Sequence, residues 1–229
     1  MGATGTNAVA LEAVGRTYGE RDALLGVTLT LPPGGSLAVL GANGAGKTTL
    51  LRLLAGLLRP TSGTATVLGS SLPKESWAIR GRIGLLAHDP MLYRALTVRE
   101  NLAHQARLLS APTERVDELI DAVGLSNRAD EPLRTLSRGL IQRAAAARAL
   151  LATPELMLLD EPYANLDPGG QSLLQPLLEN NRSVVITGHD PEALLRGTDF
   201  AVGLKAGRVA FHAPSNQVSS ADWKALYEG

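Results

Sequence analysis

Apolar positions recur along this chain in two periods, and the switch between them marks its organisation. Residues 8–31 alternate, with Val9, Leu11, Val14, Leu25, Val27, Leu29 and Leu31 apolar; this two-residue repeat predicts two or three strands of a half-exposed antiparallel sheet. Tyr18 falls in the turn predicted between them. Pro32-Pro33-Gly34-Gly35 closes that unit, since proline has no ladder donor and glycine favours turns. Residues 36–40 are apolar after Ser36, as a strand covered on both faces is. Residues 49–55 have helical character, 64–68 read as a short strand closed by Gly69, and 83–87 as another that ends at His88-Asp89-Pro90.

From there the period lengthens. Thr97 and Glu100 form a capping box that opens a helix running to about Leu109. Pro112 and Thr113 start a second, whose Val116, Leu119, Ile120 and Val123 share one face before Gly124 ends it. Residues 137–151 form an Ala-rich third helix. This helical block, about 90–151, interrupts a core that resumes with an apolar strand at 155–160. Asp167-Pro168 and Asp190-Pro191 each cap and start a helix on either side of a strand at 184–187. Residues 200–204 and 208–211, joined by Ala206-Gly207, read as a hairpin, and a short helix follows Gln217. No internal repeat, low-complexity tract or long linker divides the chain, which reads as one domain over 1–229.

Composition narrows the classes. The 229 residues are 45% hydrophobic, enough for a sizeable core. With 22 basic and 22 acidic residues, no overall field draws the chain to nucleic acid or anionic lipid. The absence of Cys removes thiol catalysis and Cys-ligated zinc, and the four His residues, His88, His104, His189 and His212, lack metal-ligand spacing. Residues 1–7 have neither the basic start nor the apolar core of a signal peptide, and no run of 18 apolar residues occurs. Any membrane role therefore needs a partner chain.

The chemistry centres on Gly41-Ala42-Asn43-Gly44-Ala45-Gly46-Lys47-Thr48, which fits G-x-x-x-x-G-K-[ST] between a strand and a helix. Glycines let several N–H groups converge on one anion, and the helix that starts there adds its positive dipole end. Lys47 places a charge on the β and γ phosphates of a nucleotide, Thr48 offers a hydroxyl to Mg²⁺, and Thr49 extends the cradle. The strand at 155–160 ends in Asp160 and Glu161, at the sheet edge where ligands bind in such folds. Asp160 is assigned to Mg²⁺. Neighbouring strand residues face opposite ways, which assigns Glu161 to polarising the attacking water as general base. His189 follows the next strand to the same edge, within reach of the γ phosphate or of Glu161. Ser137 and Gly139 open the Ala-rich helix. Taken alone Ser137 is an ordinary N-cap; together with the helix dipole it is an anion site with no anion of its own nearby. The fold class that follows is α/β: a P-loop NTPase (RecA-like) core with an N-terminal antiparallel β subdomain and an inserted α-helical subdomain.

The order Tyr18, phosphate loop, His88-Asp89-Pro90, Leu136-Ser137-Arg138-Gly139, Asp160-Glu161, Leu166-Asp167 and His189 resembles the ATP-binding subunit of ABC transporters over essentially the whole chain. The resemblance implies ATP hydrolysis with Mg²⁺ at the cytoplasmic face of the inner membrane, in a homodimer docked on integral membrane subunits. It implies that Tyr18 stacks on adenine, that residues 165–167 communicate across the dimer, and that His189 is the switch histidine. Ser137 and Gly139 would meet the γ phosphate held by the other protomer's Lys47. Two departures stand out: Arg138 and Leu140 replace the first glycine and the glutamine of L-S-G-G-Q, and His88 stands where the family has a glutamine that touches Mg²⁺. His88, the Asp-Pro-Met-Leu-Tyr that follows it, and Leu96-Thr97-Val98-Arg99-Glu100-Asn101-Leu102 are similar to the haem-exporter ATPases of cytochrome c maturation (CcmA type). That narrower resemblance implies haem-handling membrane partners of the B and C type.

Other nucleotide-binding classes fit less well. Nucleic-acid-linked ABC ATPases carry long heptad insertions or a basic surface, and this chain has neither. GTPases would carry Asn-Lys-x-Asp, which does not occur. A generic drug, lipid or polysaccharide exporter differs from the haem reading chiefly at His88.

Overall fold

The computed structural model describes residues 7–179 and 182–228. Residues 1–6 of the 1–7 stretch without signal-peptide character lie outside the described residues, as do residues 180, 181 and 229 of the single domain expected over 1–229. Two sheets organise the rest. The first is antiparallel, in the order β2-β1-β4-β5, from β1 (Val9–Tyr18), β2 (Arg21–Leu31), β4 (Ser62–Val67) and β5 (Ser70–Leu72). The second has the order β10-β9-β3-β8-β7-β6, from β3 (Ser36–Leu40), β6 (Ile83–Leu86), β7 (Leu156–Asp160), β8 (Ser183–Thr187), β9 (Phe200–Lys205) and β10 (Arg208–Pro214). Within it β9, β3, β8, β7 and β6 run parallel, and β10 pairs antiparallel with β9 at the edge.

Apolar runs with no visible alternation are resolved by having a core on each side. Along β7, Leu156 and Leu158 pack with the antiparallel sheet and helix α1 (Lys47–Leu54). Met157 and Leu159 instead join helices α2 (Val98–Leu109), α3 (Glu114–Ala122), α4 (Arg138–Leu150) and α5 (Pro168–Glu179). All four side chains are fully buried, so truncating any one to Ala costs about 2–5 kcal/mol. A strand covered on both faces cannot show its register in its own sequence; the neighbouring layers set it. A third, smaller cluster joins Ala38 and Leu40 of β3 to Ala201 and Leu226.

The helical block is pinned by its caps and ion pairs. Thr97 and Glu100 close the expected capping box on α2. Arg99 bridges to Asp130 at 2.9 Å and also to Asp117 of α3. Buried Asn101 accepts from the Tyr93 N–H at 2.7 Å and donates to the Tyr93 and Thr97 carbonyls at 3.0 and 2.8 Å, which fixes the loop that follows His88 to α2. Helices α6 (Pro191–Gly197) and α7 (Ser220–Lys224) complete the elements. No helix among the described residues is long and apolar enough to cross a membrane.

Three local expectations change. Tyr18 is the last residue of β1, paired with Arg21, and the turn is Gly19-Glu20. Residues 70–72, unassigned by pattern, form β5: a three-residue strand is too short to show a period. Glu161 lies past the end of β7 with φ 54°, so a left-handed turn and not strand alternation aims its side chain.

Candidate functional site

Parallel strands β3, β8 and β7 are adjacent, and all three end at one edge of the sheet. β3 runs into the phosphate loop, β7 ends at Asp160, and β8, between them, ends at Thr187 with His189 two residues beyond. Gly46 enters α1 with φ 108°, and a Cβ there would stand 2.6 Å from the Ala23 carbonyl oxygen; only glycine fits that conformation against the neighbouring backbone.

A cleft of about 360 Å³ opens over this edge, lined by Tyr18, Arg21, Ala23, Asn43, Gly44, Gly46, Lys47, Thr48, Thr49, Asp160 and Glu161. Most of the residues expected at a nucleotide therefore meet. Gly41 and Ala45 are not part of the lining. Ala45 is buried and its N–H donates to the Ala42 carbonyl at 3.1 Å, while Gly41 acts through its carbonyl. Lys47 Nζ donates to Gly41 O at 2.7 Å and to Ala42 O at 3.1 Å, curled back on its own loop. Burial pushes its pKa below the usual lysine value, and the charges of Glu161 and Asp160 oppose that shift.

The carboxylates are ordered by hydroxyls. Thr48 donates to Asp160 Oδ2 at 2.8 Å, and Thr187 donates to Asp160 Oδ1 at 2.8 Å. Thr187 is fully buried and also accepts the Glu161 N–H at 3.0 Å. One side chain thus holds both acidic positions, and the sequence reading missed it, having taken Thr187 only as a strand end. The signal was its place at the end of β8, one residue from Gly188-His189. His189 Nε2 donates to Glu161 Oε2 at 2.7 Å. Glu161 is 18% exposed and His189 72%, so the imidazole covers the carboxylate from the solvent side.

A buried carboxylate beside a threonine hydroxyl is the sparse, hard-oxygen donor set that suits Mg²⁺, which keeps most of its waters and takes phosphate oxygens. The residues present fit that ion. Among the described residues no three His, Asp or Glu side chains gather into an all-protein metal cage. His88 is exposed, and it borders a second cleft of about 580 Å³ that Asp160 and Glu161 also line, with Arg138, Gln142 and Asn165.

Tyr18 remains 42% exposed, with the Arg16 guanidinium 4.5 Å from its ring centroid. Ser137 caps α4, its hydroxyl accepting the Leu140 N–H at 3.4 Å. Ser137 and Gly139 line a separate, open cleft of about 420 Å³ with Arg138, Leu140, Arg143 and residues 165–167. That cleft shares no residue with the phosphate-loop cleft. The structure does not bring Ser137 and Gly139 to Lys47 within one chain.

The family described as ABC transporter matches residues 24–164. Among curated relatives, the chain is 36% identical over 240 residues to the phosphonates import ATP-binding protein PhnC of Anaeromyxobacter dehalogenans, covering 96% of this chain and 48% of that protein. It is 35% identical to the Nod factor export ATP-binding protein I of Rhizobium meliloti, covering 90% of this chain and 64% of that one. It thus spans about half of the length of the first relative and just under two thirds of the second. The bacitracin transport ATP-binding protein BcrA of Bacillus licheniformis is 32% identical, covering 92% of this chain and 71% of the other. Among solved structures, the dimeric post-hydrolysis state of the ATP-binding cassette MJ0796 bound to ADP and Pi superposes with TM-score 0.81 at 28% identity, covering 90% of this chain and 98% of that one. The cbiO1 chain of Clostridium perfringens, part of the transporter complex cbiONQ, superposes with TM-score 0.77 at 28% identity, covering 92% and 90%.

Proposed function

The chain belongs to the ABC transporter family, and on that premise we propose that it is the Mg-ATP-hydrolysing motor subunit of a membrane complex. What carries this reading is the convergence of Lys47, Thr48, Asp160 and Glu161 on one cleft, with His189 bonded to Glu161. Lys47 leaves the carbonyls of Gly41 and Ala42 for the β and γ phosphates of ATP, and the N–H groups around Asn43, Gly44 and Gly46 wrap the same anion. Thr48 and Asp160 would hold Mg²⁺, which when bound neutralises charge on the phosphate oxygens. A water attacks the γ phosphorus, the bond to the bridging β–γ oxygen breaks, and Glu161 takes the water's proton. Thr187 keeps both acidic residues in place, and His189 orients Glu161.

The chain acts as one ATP-binding domain, with the helices of about 90–151 as its inserted subdomain. Two copies pair head to tail, so that Ser137 and Gly139 of one protomer reach the phosphate on its partner's Lys47, and Tyr18 stacks on adenine. The chain associates with the cytoplasmic face of the inner membrane through integral membrane subunits and does not act on nucleic acid. In the finer reading those subunits are haem-handling, of the B and C type, and hydrolysis drives release of a haem-loaded chaperone complex in c-type cytochrome maturation. That reading rests on His88 and the residues around it. A generic exporter is the second reading, favoured by the Nod factor and bacitracin relatives.

One variant tests both levels. Glu161→Gln keeps ATP binding and lowers phosphate release by about 10² or more, because the general base is gone; near-normal hydrolysis removes Glu161 from that role. In the native host the same variant abolishes covalent c-type haem while b-type haem persists. Normal c-type cytochromes would leave the ATPase intact and return the cargo to the generic reading.

A further inference from the structure

The segment after β10 docks against the phosphate loop from the side away from α1, and no role assigned so far uses it. Leu226 is buried against Ala38 and Leu40 of β3, in the small cluster completed by Ala201. That contact brings the next residue, Tyr227, to the end of β3. Its hydroxyl accepts the backbone N–H of Gly41 at 3.4 Å. The segment is clamped from a second direction, since Lys205, at the end of β9, donates to the carbonyls of Ala225 at 2.9 Å and Glu228 at 2.6 Å. A Ser219–Asp222 capping box fixes its start.

Gly41 has no room to drift: a Cβ there would stand 2.4 Å from the Leu204 carbonyl oxygen, the residue before Lys205. Its two peptide groups face opposite tasks. The N–H goes to Tyr227, while the carbonyl accepts Lys47 Nζ at 2.7 Å. Tyr227, Gly41 and Lys47 therefore form a three-member chain from an exposed aromatic side chain to the cation meant for phosphate. The two bonds fall on successive peptide groups joined at the Gly41 Cα, so holding the first fixes the frame from which the second carbonyl, the one Lys47 must leave, is presented.

The geometry points to Tyr227 as a positioning residue for the nucleotide: residues 219–228 form a strap that sets Gly41, and through Gly41 the phosphate loop and Lys47. This rests on the phosphate-loop reading and adds a control point 186 residues along the chain from Gly41. Tyr227 touches neither ATP nor the reacting atoms; it acts on affinity, not on the hydrolytic step. Conversely, ATP drawing Lys47 off Gly41 changes the environment of the strap. Trp223 reports this, because its ring meets that of Tyr227 edge to face with centroids 6.3 Å apart.

The test uses the full chain carrying Trp77→Phe, which leaves Trp223 as the one tryptophan of the two in the sequence. Titration with Mg-ATP changes Trp223 emission, saturating with the nucleotide's own binding curve. Adding Tyr227→Phe raises the ATP Kd and KM about 2- to 5-fold, the effect of one ordinary hydrogen bond, leaves kcat unchanged and shrinks the emission change. Lys205→Met, which frees the strap without touching Tyr227, does the same. A purely structural role would lower the unfolding temperature of both variants and leave Kd at the parental value; that result, or Trp223 emission indifferent to saturating ATP, overturns the proposal. Lys47→Ala measured in parallel separates the two levels. If it loses ATP while Tyr227→Phe binds normally, only the strap fails; if it binds ATP as the parent does, the phosphate-loop reading itself fails.

Discussion

The phosphate-loop cleft and the Ser137 cleft are built from the same physical parts, a glycine-bearing loop and a helix N-terminus, yet they differ in how far their polar groups are already engaged. In the first, three charged groups each have an internal partner: Lys47 on its loop carbonyls, Asp160 between two threonine hydroxyls, Glu161 under His189. In the second, the start of α4 opens into a cleft bordered by Arg138 and Arg143, with Asp167 3.6 Å from Arg143 as the lining carboxylate. Cations and free helix N–H groups facing an open cleft form a receptor for an anion. The difference teaches why, on the proposed reading, the chain carries two unlike halves of a site. One is pre-ordered to take up a nucleotide. The other would be completed by a phosphate brought to it.

The largest effects come from breaking the pre-ordered half. Lys47→Ala removes a charge-assisted contact and weakens ATP binding about 10- to 100-fold by calorimetry, whatever happens at Ser137. Unaltered affinity would count against the phosphate-loop assignment. Breaking the receptor half gives a different signature. Ser137→Arg, which fills its cleft, leaves binding of ATP to one chain intact but cuts turnover about tenfold or more, because a donor to the transferring phosphate is lost. Equal losses of binding and turnover would erase the distinction between the halves. Thr187→Val keeps the shape of β8 and removes both hydroxyl contacts; with those bonds gone, stability falls by about 1–2 kcal/mol in urea denaturation, with a several-fold loss of turnover.

The smallest effect is a pH dependence of the phosphate-loop half. Nucleotide binding needs Lys47 protonated, and burial holds its pKa below the ordinary lysine value. ATP affinity is therefore lost as pH rises through that lowered value, at a lower pH than an exposed lysine would give. A flat affinity profile up to the usual lysine range would contradict the burial effect at Lys47.

The two halves were also unequally legible in the sequence. The phosphate loop was readable because its chemistry demands fixed residue types at fixed spacing, and Lys47, Thr48, Asp160, Glu161 and His189 all reach one sheet edge. The capping box at Thr97 and the Asp190 cap were readable because they are local. Strand order was not: β8 lies between β3 and β7 although it follows both in the chain, a consequence of long-range packing. Thr187 escaped for that reason, its two partners lying 26 and 27 residues earlier. The aim of Glu161 escaped because strand alternation stops one residue too soon, at a left-handed turn that its residue type does not announce. Tyr227 beside Gly41 is a contact between segments with no shared motif, 186 residues apart.

The central claim is that the Ser137 half is completed by a phosphate on a second copy. Sedimentation of the full chain carrying Glu161→Gln, with saturating Mg-ATP, tests it most directly, since slowed hydrolysis preserves whatever assembly ATP produces. The account predicts a species of twice the 24.0 kDa chain mass that returns to one chain when Ser137→Arg is added. A nucleotide-loaded protein that remains a single chain in both cases would contradict it.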